Sequence, residues 1–177
     1  DTTPPTASDP APITIECAAD IPAPDVTVVT DEADNCTAAP VVAFVSDVSD
    51  NGACPEVITR TYSVTDDCGN AITVTQTITI DDTIDPVLAG VPADANVECD
   101  NVPAAATPTA TDNCDNNVDI TFDEVITDGA CPDAYTITRT WTATDDCGNT
   151  DVQTQVITVE DTTPPTASDP APITIEC

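Results

Sequence analysis

The 177 residues contain no histidine, no lysine and no methionine, and only two residues, Arg60 and Arg139, carry positive charge. Without imidazole or amine there is no mid-pH general base, no Schiff-base nucleophile and no imidazole metal ligand. Without a basic face nothing neutralises phosphates, which excludes nucleic acid as a partner. No apolar run approaches the ~20 residues of a membrane-spanning helix. Aromatic residues amount to two Phe, two Tyr and one Trp, too few for a repeated stacking platform. With neither an initiating methionine nor a signal segment, the sequence reads as a processed piece of a longer protein.

Acid, proline and cysteine are plentiful. The 33 acidic residues set against 2 arginines give 2 − 33 = −31. Such acidity, with 17 prolines, often accompanies disorder, but a 40% hydrophobic content and long Val, Ile and Thr-rich runs oppose it. Nine cysteines without one C-x-x-C pair favour disulfides over thiolate zinc sites. Disulfides in turn imply an oxidising compartment, outside the cell or on its surface.

Self-similarity organises the chain. Residues 1–17, DTTPPTASDPAPITIEC, recur unchanged as residues 161–177. Within that 160-residue period lies a looser repetition of about 80 residues, in which ITRTYSVTDDCGN (58–70) matches ITRTWTATDDCGN (137–149). Cys17, Cys36, Cys54 and Cys68 correspond to Cys99, Cys114, Cys131 and Cys147, and Cys177 opens a third copy. This predicts three parts: repeat 1 (1–81), repeat 2 (82–160), and a linker with the first strand of a further repeat (161–177). A period of this length suits a small independent domain rather than a solenoid unit.

Each copy reads as strand throughout. In the first, the β-rich stretches are Ile13–Glu16, Asp25–Val29, Val41–Asp47, Val57–Thr65 and Ala71–Ile80, separated by Pro, Asp-Asn or Gly signals. Short strands with frequent turns predict an all-β fold: tandem immunoglobulin-like β-sandwiches, disulfide-stapled and arranged as an extended rod. Alternation places Ile58, Tyr62 and Val64 on one face of their strand, and Ile137, Trp141 and Ala143 likewise. Arg60 and Arg139 share those rows and are expected at the core rim, each stacked on its aromatic and paired with a carboxylate.

Four cysteines allow three connectivities. Threading the repeat as an immunoglobulin-like sandwich puts Cys36 and Cys68 at the pole where the linker arrives, and Cys17 and Cys54 at the far pole. The expected bridges are therefore Cys17–Cys54 and Cys36–Cys68, with Cys99–Cys131 and Cys114–Cys147 in the second copy. The same threading gathers acids at the incoming pole: Asp34, Asp66 and Asp67 in one repeat, and Asp112, Asp145 and Asp146 with linker residues Asp81, Asp82 and Asp85 in the other. Glu160 and Asp161 belong to the next linker. Two carboxylates ~5 Å apart repel by roughly 3 kcal/mol at an effective dielectric of ~20. A divalent cation reverses that sign, and Ca²⁺ takes six to eight oxygens from irregular loops, so calcium is the expected cofactor.

The linker DTxxP, the DNC motif and the ending TRT(Y/W)xxTDDCGN resemble hyalin-repeat (HYR)-like domains of the four-cysteine variety. The resemblance implies an immunoglobulin-like sandwich in tandem arrays of large bacterial surface proteins, including gliding and adhesion proteins of Bacteroidota. It supplies no catalytic residues. Asp-Thr followed by Thr or Ile, at Thr2, Thr83 and Thr162, resembles the O-glycosylation signal that such bacteria place on exported proteins.

A structural role follows from near-perfect repetition, which suits a spacer whose output is length, and from Pro-rich linkers that limit hinging. The expected function is a repeat of a calcium-rigidified stalk or filament of a cell-surface adhesin, whose partners are neighbouring repeats of the same chain. The alternatives are a module binding carbohydrate or host protein, or a subunit of a polymerising filament. No enzyme is expected, since the paired carboxylates lie at linkers rather than in an aromatic-lined cleft.

Overall fold

The structure of the protein, a computed structural model, describes residues 1–130 and 133–169. Strands β1 (Ile13–Ile15), β2 (Val41–Ser49), β3 (Glu56–Thr65) and β4 (Ala71–Ile80) build a sheet in the order β1-β4-β3-β2. Strand β1 lies parallel to β4, Ile13 opposite Ile78, and the other pairings are antiparallel. The second copy supplies β5 (Val87–Ala89), β6 (Ala95–Glu98), β7 (Thr109–Thr111), β8 (Asp119–Asp128), β9 (Tyr135–Thr144) and β10 (Thr150–Glu160). Its sheet runs β6-β10-β9-β8, with β6 again parallel to its neighbour. Apart from the two sheets, Thr6 and Ala33 form an isolated antiparallel bridge in the first copy, and β5 and β7 pair antiparallel in the second. The fold class is the expected one: tandem all-β repeats of immunoglobulin-like type, carrying disulfides.

The β3–β4 hairpin matches the sequence reading, because alternating Val, Ile and Thr fill the pleat and Gly69 closes the turn at φ +89°. Asp25–Val29 departs from it. Val26–Val28 form a 3₁₀ turn, capped by Asp25, whose carboxylate accepts bonds from the Thr27 N–H (2.9 Å) and hydroxyl (2.7 Å). An Asx cap of this kind competes locally with strand pairing and wins where no neighbouring strand claims the backbone.

The chain divides into two compact units. The first comprises Asp1–Ala89, Thr109–Thr121 and Thr142–Val152. Its core joins Val29, Tyr62, Val64 and Val74, and a second cluster joins Ile58, Ile78 and Ile80 with Ile13, Ile15 and Ile21 packed against them. The other unit comprises Gly90–Pro108, Phe122–Trp141 and the described residues from Gln153 onward. Its core joins Ile137, Ile157 and Val159, while Trp141 packs on Phe122 with ring centroids 5.2 Å apart.

Both arginines lie deeper than the core rim, Arg60 at 2% and Arg139 at 4% exposure. Arg60 makes a forked pair with Asp47, its cross-strand neighbour, through Nε (2.8 Å) and Nη2 (2.9 Å). Arg139 donates to Glu124 (2.8 Å) and to the Pro103 carbonyl (2.9 Å). The side-chain hydrogen bonds to Asp47 hold the Arg60 guanidinium charged against the cost of its burial. Removing the partner of a buried charge costs about 3 kcal/mol, whereas an apolar residue of similar length replaces the charge at less cost. Asp47→Ala should therefore lower the urea midpoint of unfolding more than Arg60→Met. The reverse order in a denaturation series would show that the ion pair does not govern this site.

Candidate functional site

Two short loops recur in each copy, and both are shaped by aspartate. In the DNC loop one carboxylate oxygen of Asp34 accepts the N–H groups of Cys36 and Thr37, both at 2.8 Å. Asp112 does the same for Cys114 (2.8 Å) and Asp115 (3.0 Å). In the TDDCGN loop Asp66 accepts from the N–H of Cys68 (2.9 Å) and Asn70 (2.8 Å), and from the Asn70 amide (2.7 Å). Asp145 repeats that set with Cys147 and Asn149 at 2.9, 2.8 and 2.8 Å. Aspartate bonds readily to backbone two residues on, which is why these loops fold locally. The asparagine then reaches the linker: Asn70 donates to the Asp1 carbonyl (3.3 Å) and Asn149 to the Asp82 carbonyl (2.9 Å).

The cysteines hold together what these loops present. Cys17 is bonded to Cys114 and Cys54 to Cys147, with Cα–Cα distances of 5.1 and 5.3 Å. Cys36, Cys68 and Cys99 are free and exposed. The expected bridges Cys17–Cys54, Cys36–Cys68 and Cys114–Cys147 are therefore not formed. Of the expected Cys99–Cys131 pair, Cys99 is free, and Cys131 lies outside the described residues, as does Cys177. Each bridge instead crosses the repeat boundary. Cys17 and Cys54 are each bonded to a loop cysteine of the following repeat rather than to one another. All four half-cystines fall in the first compact unit. They line one cavity of about 210 Å³ together with Glu16, Glu56, Asp82, Asp115 and Asp146.

The acids separate into those that converge and those that do not. Oxygens of Asp1, Asp34 and Asp66 lie within 4.8 Å of one another, as do ligand atoms of Asp82, Asp112 and Cys114, whose sulfur is spent in a disulfide. Asp1 was missed by the sequence reading, although its register with Asp82 in the DTxxP linker marks it. Asp66, Asp82 and Asp145 are buried at 6–7% exposure. The second oxygens of Asp34 and Asp112 are buried without a hydrogen-bond partner, and so is one oxygen of Asp115. Asp67, Asp85, Asp146, Glu160 and Asp161 are exposed and Asp81 is half-buried, none of them in either cluster.

Hydrogen bonding keeps several of these carboxyls ionised. The N–H groups of Thr37 and Cys36 hold Asp34 below the usual carboxylate value. Burial pushes Asp66 and Asp112 upward, but hydrogen bonds from Asn70 and Cys68, and from Asp115 and Cys114, outweigh it and leave both lowered. Glutamates seat the linkers in the same way. Glu16 accepts the Thr83 N–H (2.8 Å) and hydroxyl (3.2 Å), and Glu98 accepts the Thr162 N–H (3.0 Å) and hydroxyl.

Residues 5–80 and 87–159 each match the family model of the HYR-like domain with 4 cysteines. No curated protein matches the chain.

The lowered carboxyls give the fold an acid limit. With folded-state values below 3.8, the folded protein binds fewer protons than the unfolded chain in that range. Their contribution is complete above the unfolded value and is lost as pH falls through the depressed folded ones. In chelator, the thermal midpoint should drop as pH is lowered below about 3.8. Asp34→Asn with Asp112→Asn should flatten that slope, and an unchanged slope would show that these loops do not set it.

Proposed function

The chain belongs to the family of HYR-like domains with 4 cysteines, and on that premise we propose that it is a spacer in an extracellular adhesion-type array whose junctions are stiffened by calcium. The double disulfide across the repeat boundary supports this reading most directly, since two covalent ties at separate points resist hinging in a way that one linker does not. The family consists of structural and adhesion-type repeats, and its disulfides suit an oxidising exterior. No helix among the described residues is long and apolar enough to cross a membrane.

Calcium fits the residues present. The buried orphan oxygens of Asp34 and Asp112 occupy corresponding places in the two copies, each grouped with an acid of the linker, Asp1 or Asp82. A bound Ca²⁺ would give each orphan a partner and convert carboxylate repulsion into attraction. Asp66, and Asp145 in register with it, would complete the acidic wall. Where the hydroxyls of Thr83 and Thr162 donate to Glu16 and Glu98, an O-linked sugar would replace that donor. Thr2, Thr83 and Thr162 remain the acceptors in this reading, and intact mass of native material should show hexose-sized increments. An unmodified mass would remove the glycan.

Thermal unfolding with and without chelator tests the metal. At calcium a hundredfold above its dissociation constant, stability should rise by about 2.7 kcal/mol per site. The rise should vanish in Asp34→Asn with Asp112→Asn. A midpoint that calcium leaves unchanged would overturn the calcium part of the proposal.

A further inference from the structure

Cys17–Cys114 and Cys54–Cys147 line one cavity, yet they meet solvent differently. Cys54 is exposed, whereas Cys17, Cys114 and Cys147 are half-buried. The Asn113 amide also donates to both sulfurs of Cys17–Cys114, at 3.4 and 2.8 Å. An incoming reagent therefore reaches Cys54 first. Around that sulfur the charge is of one sign. Glu56 lies two residues after Cys54, the exposed Asp146 directly precedes Cys147, and Glu16, Asp82 and Asp115 complete the acidic lining. One oxygen of Asp115 is buried with no donor to offset its charge. Neither arginine belongs to the lining; each is tied to its own carboxylate, Asp47 or Glu124.

We propose that this lining makes Cys54–Cys147 a charge-filtered redox site, opened by small thiols that carry a positive charge and resistant to anionic ones. The attacking species is a thiolate, and a further negative charge on it raises the cost of approaching Glu56 and Asp146. An ammonium group on the same reagent reverses that cost. The carboxylates also disfavour the thiolate that leaves, which slows every reagent alike, so the selection comes from the approach.

The reductant is the thiol itself. Its thiolate attacks the Cys54 sulfur, the S–S bond breaks, and Cys147 leaves as a thiolate that takes a proton from solvent. A second thiolate attacks the reagent sulfur of the mixed disulfide and releases Cys54. Two reagent thiols are oxidised to one disulfide, and the bridge is reduced to two protein thiols. A carboxylate about 7 Å away changes the rate of a singly charged reagent about threefold in water at low salt. With Glu56 and Asp146 both acting, a cationic thiol should be favoured over an anionic one by at least about tenfold.

The test uses three thiols of similar size: cysteamine, 2-mercaptoethanol and 3-mercaptopropionate. Each rate is divided by that of the same reagent on bis(2-hydroxyethyl) disulfide, which removes differences in nucleophilicity and thiolate fraction. Chelator is present throughout, so the outcome is independent of calcium. Thiols already free in the folded chain are blocked with iodoacetamide, and peptide mapping confirms Cys54–Cys147 before reductant is added. Opening is then followed by N-ethylmaleimide labelling of Cys54 and Cys147. At about 0.01 M ionic strength the normalised rates should fall in the order cysteamine, 2-mercaptoethanol, 3-mercaptopropionate, and at about 1 M salt they should converge. Glu56→Gln with Asp146→Asn should cut the cysteamine to mercaptopropionate ratio at least threefold. Asp123→Asn with Asp128→Asn, on the exposed strand β8, carries the same net charge of −31 + 2 = −29 and should leave the ratio unchanged. Equal normalised rates, a ratio indifferent to salt, an equal effect of the two double variants, or a starting map without Cys54–Cys147 would each overturn the proposal.

Discussion

The repeat boundary is governed by four sulfur atoms. Cys17–Cys114 and Cys54–Cys147 close loops with sequence separations of 97 and 93 residues. In chain-entropy terms the first bridge over such a loop withdraws about 4–5 kcal/mol of freedom from the unfolded chain. The second withdraws less, because its ends are already held. Small β domains with few aromatics bury too little apolar surface to afford loose ends. Here the deficit is met at the boundary rather than inside each repeat, so the loops of one copy are completed by the other, and the first compact unit takes in Thr109–Thr121 and Thr142–Val152.

Acid has a similarly economical use. Among the acids behind a net charge of −31, Asp34, Asp66, Asp112 and Asp145 shape the recurring loops by accepting backbone N–H groups. Glu16 and Glu98 perform the same service for the linkers. The two cations go inward, where Arg60 and Arg139 tie the middle strand of each sheet to its edge strand through Asp47 and Glu124. A basic residue thus cross-links a strand pair in each copy.

Much of this was legible in the amino acids. Alternation on Val57–Thr65 marked Tyr62 and Val64 as core, and both are fully buried. The matching row in the second copy marked Trp141 and Ala143. The grouping of Asp34 with Asp66 followed from threading and is observed. The bridge partners were not legible, and the reason is combinatorial. Four cysteines in one repeat invite a search among three internal pairings, whereas eight admit 105, and the true pairing lies in the larger set. The burial of Arg60 escaped notice because charge alone argues for the rim; only the cross-strand position of Asp47 permits depth. The 3₁₀ turn at Val26–Val28 escaped because β-branched residues speak for strand, while one aspartate cap speaks against it.

The position of the bridges relative to the linker has a further consequence. Cys17 and Cys54 precede Asp82–Pro86, and Cys114 and Cys147 follow it. A protease, or acid acting at the Asp85–Pro86 bond, could sever the polypeptide there without releasing either fragment. Tension along the chain would likewise pass through sulfur before it strained the peptide bonds of the connector. With both bridges closed, the two sides of the linker stay covalently joined whether or not its own backbone is intact.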